Sequence, residues 1–238
     1  QLNSEADHNT FKNSTIRMST TATNSSNAGI NASASETSAS SDGNNANYLW
    51  IDSCTFIGGY RGVDLQGSST ILLKGNRITN STFLYQDENG VYVDDQDSLI
   101  VSGNYVDSLR DQTSADGLYL FDINGYFEVT NNVVHAPDWG IYFNDGNTLD
   151  STNRAKAINN MVRSDADYGM YFVSCSHVDI FHNTSVGNSA IYFATNSTRM
   201  DIRNNIFYSY CDYAFENAVS VANFNPVDID NNLYYSGS

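Results

Sequence analysis

The sequence has few of the residues that break, cross-link or anchor a chain. Of its 238 residues, 2 are proline and 3 are cysteine. No apolar run reaches the roughly 18 residues that a membrane-spanning helix needs, so we expect no membrane insertion. The cysteines, Cys54, Cys175 and Cys211, lack CxxC or zinc-ligand spacing. Their odd number allows one disulfide at most, and we favour three isolated thiols over one such bond.

Positive charge is also scarce. The chain carries 11 Lys and Arg residues against 27 Asp and Glu residues, a formal net charge of −16. A field of that sign repels nucleic acids and anionic membranes, so we expect neither as a partner. Helical periodicity is lacking, because apolar residues recur at i and i+2 rather than at i, i+3 and i+4. The abundance of Asn, Ser, Asp, Gly and Tyr indicates a turn-rich β protein.

The chain does contain an internal repeat of 22–28 residues. In each repeat, a short stretch of alternating apolar and polar residues ends in a turn with an asparagine, as in "IVSGNYV" and "EVTNNVV". The asparagines of this frame are Asn76, Asn104, Asn132, Asn160, Asn183, Asn205 and Asn232. Cys54 occupies the same position one period earlier. Asparagine tolerates the left-handed turn conformation, and its amide both donates and accepts hydrogen bonds. The repeat therefore predicts an inward-facing asparagine ladder.

A second motif, Gly-φ-Tyr-φ, recurs in the same periods. It reads "GVYVDD", "GLYLFD", "GIYFND" and "GMYFVS", followed by "AIYFAT". Each period thus contains three short strand signals, which are stable only when successive coils stack about 4.8 Å apart. Propeller blades need longer periods, and leucine-rich repeats need a regular leucine frame. The pattern predicts an all-β fold, a parallel β-helix with three faces.

With its "NN-x-φ" turns and "G-φ-x-φ" strands, the chain resembles the right-handed parallel β-helix repeat family, the pectin-lyase-like architecture. The resemblance covers residues 48–238 and implies a right-handed, three-faced solenoid of about eight coils. We expect residues 1–47 to form a degenerate first coil with a long polar loop. We expect residues 48–238 to be a segment of a longer solenoid.

The asparagine-rich style is similar to that of β-helix segments in very large secreted bacterial cell-surface proteins, including cargo of the type IX secretion route. That resemblance implies an extracellular or cell-surface location. It also implies that flanking domains of the same polypeptide are partners of this segment.

One column of the predicted β-helix consists of outward-facing tyrosines. They are Tyr92, Tyr119, Tyr142, Tyr171 and Tyr192, each two residues after the first position of its motif. Two interpretations are open. The rings stack on one another and stabilise the sheet, or they also present a rigid surface about 20 Å long to sugar rings. The second interpretation makes these residues candidates for binding a polysaccharide or cell-surface glycan.

A column of aspartates lies beside part of the tyrosine column. Asp95, Asp122 and Asp145 stand five residues after the motif glycine of three successive coils. Stacked carboxylates repel one another unless protons or a cation intervene. They are therefore solvated turn residues, ligands for Ca²⁺, or a carboxyl pair at the 5–5.5 Å separation of retaining glycosidases. No other cofactor is indicated.

These features favour a non-catalytic scaffold or adhesin, a β-helix segment of a large surface protein that contacts carbohydrate. The alternative is a polysaccharide lyase or glycoside hydrolase acting in a β-helix groove. The polygalacturonase motifs NTD, HG and RIK and the pectate-lyase motif RxPxxR are absent, and the "ADG" at 115–117 is an isolated match to DG. If the chain is an enzyme, Asp95, Asp122 and Asp145 with Tyr119 and Tyr142 are the residues to examine.

Overall fold

The computed structural model describes residues 1–3, 5–35, 38–146, 152–220 and 224–237. In this part of the chain, 27 short strands, numbered β1 to β27 in chain order, form three parallel sheets. No helix among these residues is long and apolar enough to cross a membrane.

The strands are assigned to the sheets as follows. Sheet B contains β1 (Thr10–Lys12), β4 (Trp50–Asp52), β8 (Arg77–Thr79), β11 (Leu99–Ser102), β14 (Phe127–Thr130), β17 (Ala155–Ile158), β20 (Val178–Phe181), β23 (Asp201–Arg203) and β26 (Asp228–Asp230). Sheet C contains β2 (Thr15–Arg17), β5 (Thr55–Ile57), β9 (Thr82–Leu84), β12 (Tyr105–Asp107), β15 (Val133–Ala136), β18 (Met161–Ser164), β21 (Thr184–Gly187), β24 (Ile206–Ser209) and β27 (Leu233–Ser236). Sheet A contains β3 (Ala28–Ala32), β6 (Arg61–Gln66), β10 (Asn89–Asp97), β13 (Asp116–Ile123), β16 (Ile141–Asn144), β19 (Tyr168–Val173), β22 (Ser189–Ala194) and β25 (Glu216–Asn217), with β7 (Leu73–Lys74) beside β10.

The chain visits the sheets in the order B, C, A and then begins the next coil. Every ladder is parallel and joins strands of adjacent coils, as where β10 pairs with β6 on one side and β13 on the other. Residues 1–47 supply β1, β2 and β3, the first strand of each sheet. The three-faced parallel β-helix predicted from the repeat is confirmed.

The interior of the solenoid is filled by columns of apolar side chains. Phe143 and Phe172, each directly after a motif tyrosine, stack with centroids 4.4 Å apart and an interplanar angle of 2°. Phe193 continues the column 5.2 Å from Phe172. All three are fully buried, and each such side chain stabilises the fold by roughly 1.5–3 kcal/mol. Because the core is a column, each coil is buried by its two neighbours.

The predicted asparagine ladder is present from Asn104 to Asn232. At each step the side-chain Nδ2 donates to the Oδ1 of the next asparagine along the solenoid, at 2.9–3.0 Å. The same Oδ1 also accepts the backbone N–H of the asparagine before it, as between Asn160 and Asn132 at 3.1 Å. These bonds satisfy buried polar groups at a turn, where the hydrogen bonds between paired strands are interrupted.

The ladder differs from the prediction at one step, because Asn76 does not belong to it. Strand β8 pairs with β11 through Ile78 and Val101, which stacks Ser81 rather than Asn76 on Asn104. The Ser81 backbone N–H donates to Asn104 Oδ1 at 3.0 Å. Residues 67–76 are an extra loop containing β7, so the asparagine in "KGNR" precedes the strand instead of following it.

Cys54 does occupy the ladder position one coil before Ser81, as predicted. Its backbone N–H donates to the Ser81 hydroxyl at 3.1 Å. Cys54 and Cys175 are buried free thiols, and Cys211 is an exposed one. The preference for three isolated thiols is therefore confirmed.

Replacing Asn160 with alanine tests the ladder. The Asn160→Ala change removes two donated bonds, to Val129 O and Asn183 Oδ1 at 2.9 Å each, and two accepted from Asn132. Because the abandoned partners are buried, we expect the free energy of unfolding to fall by about 2–3 kcal/mol. Urea unfolding monitored by circular dichroism measures this change.

The neighbouring Asn159→Gly substitution is the matched control. Asn159 is exposed and has a φ of 57°, which glycine adopts without strain. We expect a loss below about 1 kcal/mol. Equal losses for the two variants would contradict a special role for the inward amide.

Candidate functional site

The five motif tyrosines lie in register on the outer face of sheet A. Backbone pairing places Tyr92 opposite Tyr119, and the succession continues through Tyr142 and Tyr171 to Tyr192. Successive ring centroids are 4.7–5.2 Å apart. We call these five residues the tyrosine ladder. Its predicted register is confirmed, whereas ligand contact stays a prediction.

The rungs of the ladder are not equally accessible. Tyr142 is only 7% exposed, whereas the other four tyrosines are half-buried. Its ring lies against the indole of Trp139, with centroids 4.8 Å apart, and its hydroxyl accepts a bond from Asn144 Nδ2 at 2.7 Å. Tyr142 therefore supports the ladder and offers little surface to a ligand.

Two further aromatic residues extend the ladder sideways, and the sequence analysis missed both. Trp139 contacts Tyr171 edge-on at 5.2 Å, and Tyr168 stacks on Tyr192 at 4.6 Å. Each directly precedes the glycine of its Gly-φ-Tyr-φ motif, in "WGIYF" and "YGMYF". An aromatic residue directly before the motif glycine could therefore have been recognised from the sequence. We call the tyrosine ladder together with Trp139 and Tyr168 the aromatic surface.

An arginine closes one end of the aromatic surface. The Arg61 guanidinium lies 3.7 Å from the centroid of the Tyr92 ring. It forms ion pairs with Asp64 at 2.9 Å and with Glu88 at 3.0 Å. Asp64 is paired with Tyr92 in the sheet register and is itself fully buried. The positive charge at this end is thus neutralised by carboxylates of the protein.

Carboxylates gather at the turn that follows the tyrosines. Carboxylate oxygens of Asp94, Asp95 and Asp122 lie within 4.8 Å of one another, and we call these three residues the acidic group. The predicted column of Asp95, Asp122 and Asp145 does share one turn conformation, with φ of 51°, 44° and 46°. Asp145 lies outside the group of three, whereas Asp94, two residues after Tyr92 in β10, lies inside it.

Negative charge in the acidic group is disfavoured, as the raised pKa values of two of its carboxyls show. Burial, followed by the neighbouring Asp95 carboxylate, raises the pKa of Asp94 to about 7. Burial, followed by a hydrogen bond that protonated Asp122 donates to the Asp145 carboxylate, raises the pKa of Asp122 to about 6. Among the described residues, Oδ1 of Asp94 and Oδ1 of Asp95 are buried without a hydrogen-bond partner. Unsatisfied carboxylate oxygens at this spacing fit the ligand preference of Ca²⁺.

A further acidic residue, Asp116, lies at the opposite edge of the aromatic surface and was also missed. Its Oδ1 accepts the backbone N–H of Trp139 at 3.0 Å. Burial raises the pKa of Asp116 to about 8, against the smaller opposing effect of that hydrogen bond. The carboxyl is only 6% exposed, so it braces the turn that carries Trp139 and has little access to solvent.

Comparison with known proteins identifies the family. A family model described as "Right handed beta helix region" matches residues 2–154 and 78–233. The chain belongs to the right-handed β-helix family. No curated protein and no solved structure matches it.

Membership in the right-handed β-helix family accounts for the fold and leaves the chemistry to the individual site. The two matches overlap over residues 78–154, as expected when one repeat model aligns in two registers. Exposure to solvent limits what the candidate catalytic carboxyls can do. Asp95 is only 6% exposed, which leaves its carboxylate little contact with a substrate lying on this β-helix face.

Asp116 makes the stability of this β-helix depend on pH. Its folded-state pKa of about 8 exceeds the unfolded value of about 3.9. Its contribution to stability is therefore fully present below about pH 4 and lost as pH rises through about 8. We expect the Asp116→Asn variant to melt several degrees above the parent at pH 9, with little difference at pH 5. Scanning calorimetry across this range measures the difference.

The Asp111→Asn variant provides a control of opposite sign. Hydrogen bonds from the side chain and backbone of Thr113 lower the pKa of Asp111. Its stabilising effect is present above about pH 4, so this substitution should lower the melting temperature at pH 9. At pH 9, an increase in melting temperature for Asp111→Asn, or no increase for Asp116→Asn, would contradict the pKa directions given to these two carboxyls.

Proposed function

We propose that this chain is a non-catalytic, extracellular β-helix segment of a large bacterial surface protein. It acts as a rigid scaffold or adhesin that contacts glycans along the aromatic surface of sheet A. The observation that carries the proposal is the contiguity of half-exposed rings on one flat face. Four ladder tyrosines, Trp139 and Tyr168 are all half-buried, and each ring contacts at least one other ring of this set.

Sugar rings are the ligand chemistry that suits this face. Tyrosine and tryptophan combine a large apolar surface with a polar edge. Burial raises the pKa of the Tyr92 and Tyr119 phenols well above their usual range, so these hydroxyls are neutral donors and acceptors at physiological pH. The rings are held by backbone pairing on adjacent coils, and a surface ordered in advance loses little entropy on binding.

Ca²⁺ is proposed as the ion of the acidic group. Asp94, Asp95 and Asp122 would supply its protein ligands, because their oxygens converge and two of them have no other partner among the described residues. The ion would relieve the repulsion that raises the pKa values of Asp94 and Asp122. Tyr92 and Asp94 alternate onto the same face of β10, so the ion would lie at the edge of the aromatic surface.

Substitutions within the aromatic surface test glycan binding. We expect immobilised bacterial and host glycans to include at least one that binds the parent protein saturably. Trp139→Ala and Tyr171→Ser should each weaken that binding by at least about tenfold, since central aromatic anchors dominate such interfaces. A glycan array followed by titration calorimetry measures the affinities.

Tyr208→Ser provides a matched control on another face. Tyr208 stacks on Tyr235 in sheet C with centroids 4.8 Å apart, so the substitution removes an equivalent stacked ring away from sheet A. Equal loss of binding in this variant would show a general effect on stability. Cleavage of a bound glycan, seen as new chain ends, would favour the lyase or hydrolase alternative.

Ca²⁺ should raise the melting temperature of the parent protein, and EDTA should reverse the change, because an ion that binds only the folded state stabilises it. The Asp95→Asn variant should lose this response, while Asp165→Asn, directly after β18 of sheet C, should keep it. Mg²⁺ should have a smaller effect, because it requires near-octahedral geometry and retains its waters. An identical melting curve with Ca²⁺ and with EDTA would refute the ion site.

A further inference from the structure

A second concave site lies on the outside of sheet B, away from the aromatic surface. It is an open cavity of about 560 Å³, within the usual range for small-molecule sites. Six of its nine lining residues matter for what it could bind: Tyr48, Trp50, Gly75, Arg77, Ser98 and Tyr126. We call this cavity the notch.

The notch exists because one column of turn residues is interrupted by small side chains. Sheet B register places Trp50, Arg77 and Ile100 on successive coils, and the residues two positions earlier are Tyr48, Gly75 and Ser98. Tyr126 is the next in this column, two positions before Glu128. Glycine and serine thus separate two tyrosines by three strand spacings, about 14 Å.

The aromatic wall formed by Tyr48 is held firmly. His8 stacks on its ring with centroids 4.8 Å apart and an interplanar angle of 9°. On the other side, a Cβ at Gly75 would come within 2.6 Å of Tyr48 Cδ1, so only glycine leaves room for the ring. Tyr48 is nevertheless 51% exposed. A rigid ring with that much free surface is suited to contact with a ligand.

Arg77 supplies the charge of the notch. Five other arginines, Arg61, Arg110, Arg154, Arg163 and Arg203, form ion pairs with aspartates. Arg77 is exposed and lines the cavity, and its guanidinium forms no hydrogen bond or ion pair within the described ranges. Its charge contributes less than the Lys156 hydrogen bond does to the lowered pKa of Glu128. The nearest acidic residue of its column, Glu128, is bound by Lys156 Nζ at 2.8 Å.

A second cation lies beside the same cavity. Lys12 Nζ is 3.1 Å from the centroid of the Trp50 ring. In a chain with a net charge of −16, two cations that border the same indole are a local exception, Lys12 over the Trp50 ring and Arg77 opposite Trp50 in the sheet register. Guanidinium binds planar carboxylates through two parallel hydrogen bonds, and aromatic walls add apolar contact to the rest of a ligand.

We propose that the notch binds a carboxylate-bearing sugar, a hexuronate unit of an acidic polysaccharide. The carboxylate pairs with Arg77, and neighbouring sugar rings of the same polysaccharide pack against Tyr48 and Tyr126. This site is independent of the aromatic surface, because it lies on a different sheet and has charge of the opposite sign. The chain then has two glycan-binding faces with different specificities.

Titration calorimetry with defined oligosaccharides tests the proposal. Trisaccharides of glucuronic acid and of galacturonic acid are compared with their methyl esters, which keep the ring and remove the charge, and with acetate. We expect saturable binding of at least one acid trisaccharide. Its methyl ester and acetate should each bind at least about tenfold more weakly.

Two variants of the notch and two controls complete the experiment. Arg77→Gln should weaken binding at least about tenfold, and Ser98→Tyr should abolish it by filling the gap. Ser98 has a φ of 59°, close to the 53° of Tyr48 in the same column, so the backbone accepts tyrosine there. Arg17→Gln, an exposed arginine of sheet C, and Tyr171→Ser in the aromatic surface should both bind the trisaccharide as the parent does.

Any of four results would contradict uronate binding in the notch. Binding could be unchanged in Arg77→Gln, or the acid trisaccharide could bind no more tightly than its methyl ester. It could also bind no more tightly than acetate, or the parent protein could show no saturable binding up to about 10 mM. Loss of binding in Tyr171→Ser would move the uronate to the aromatic surface and would also reject the notch. Failure of the notch leaves the proposed function standing, because the two sites are probed by different substitutions.

Discussion

Every strand of this protein is held by the coil before it and the coil after it, and the rest of the structure follows from that pairing. A strand of three or four residues cannot bury its own side chains or satisfy its own backbone. Parallel pairing at about 4.8 Å does both, and it also fixes which residues are neighbours. The asparagine ladder performs the same task at a turn, where Asn132, Asn160 and Asn183 bond in succession through their amides.

The same spacing has opposite consequences for different side chains. Aromatic rings attract one another at this distance, so Phe143 and Phe172 stabilise the core and the tyrosine ladder stabilises the outer face. Carboxylates repel one another at this distance. The raised pKa values of Asp94 and Asp122 record that repulsion together with their burial. A parallel β-helix therefore favours aromatic columns and makes acidic columns suited to binding ions.

Both proposed binding surfaces lie where a column of side chains departs from its regular pattern. On sheet A, Trp139 and Tyr168 lie beside the ladder and widen a single file of rings into a surface. On sheet B, Gly75 and Ser98 leave a gap that the larger Tyr48 would otherwise continue. Both devices use turns, whose length and composition vary without disturbing the paired strands. The two faces also differ in charge, since aspartates border the first and Arg77 lines the second.

The sequence alone determined the fold class, the three faces and the register of the tyrosines, because strict alternation and a recurring motif are local signals that stacking preserves. It did not determine which turn residues meet. Asn76 resembles a ladder asparagine, yet Ser81 occupies that position because an extra loop precedes β8. Asp95, Asp122 and Asp145 lie in or directly after the paired strands β10, β13 and β16 in the predicted register, yet the carboxylate of Asp94 rather than that of Asp145 belongs to the acidic group. Spacing along the chain counts turn residues, whereas contact between coils depends on backbone pairing, and only the tertiary structure shows how turns of unequal length align those pairs.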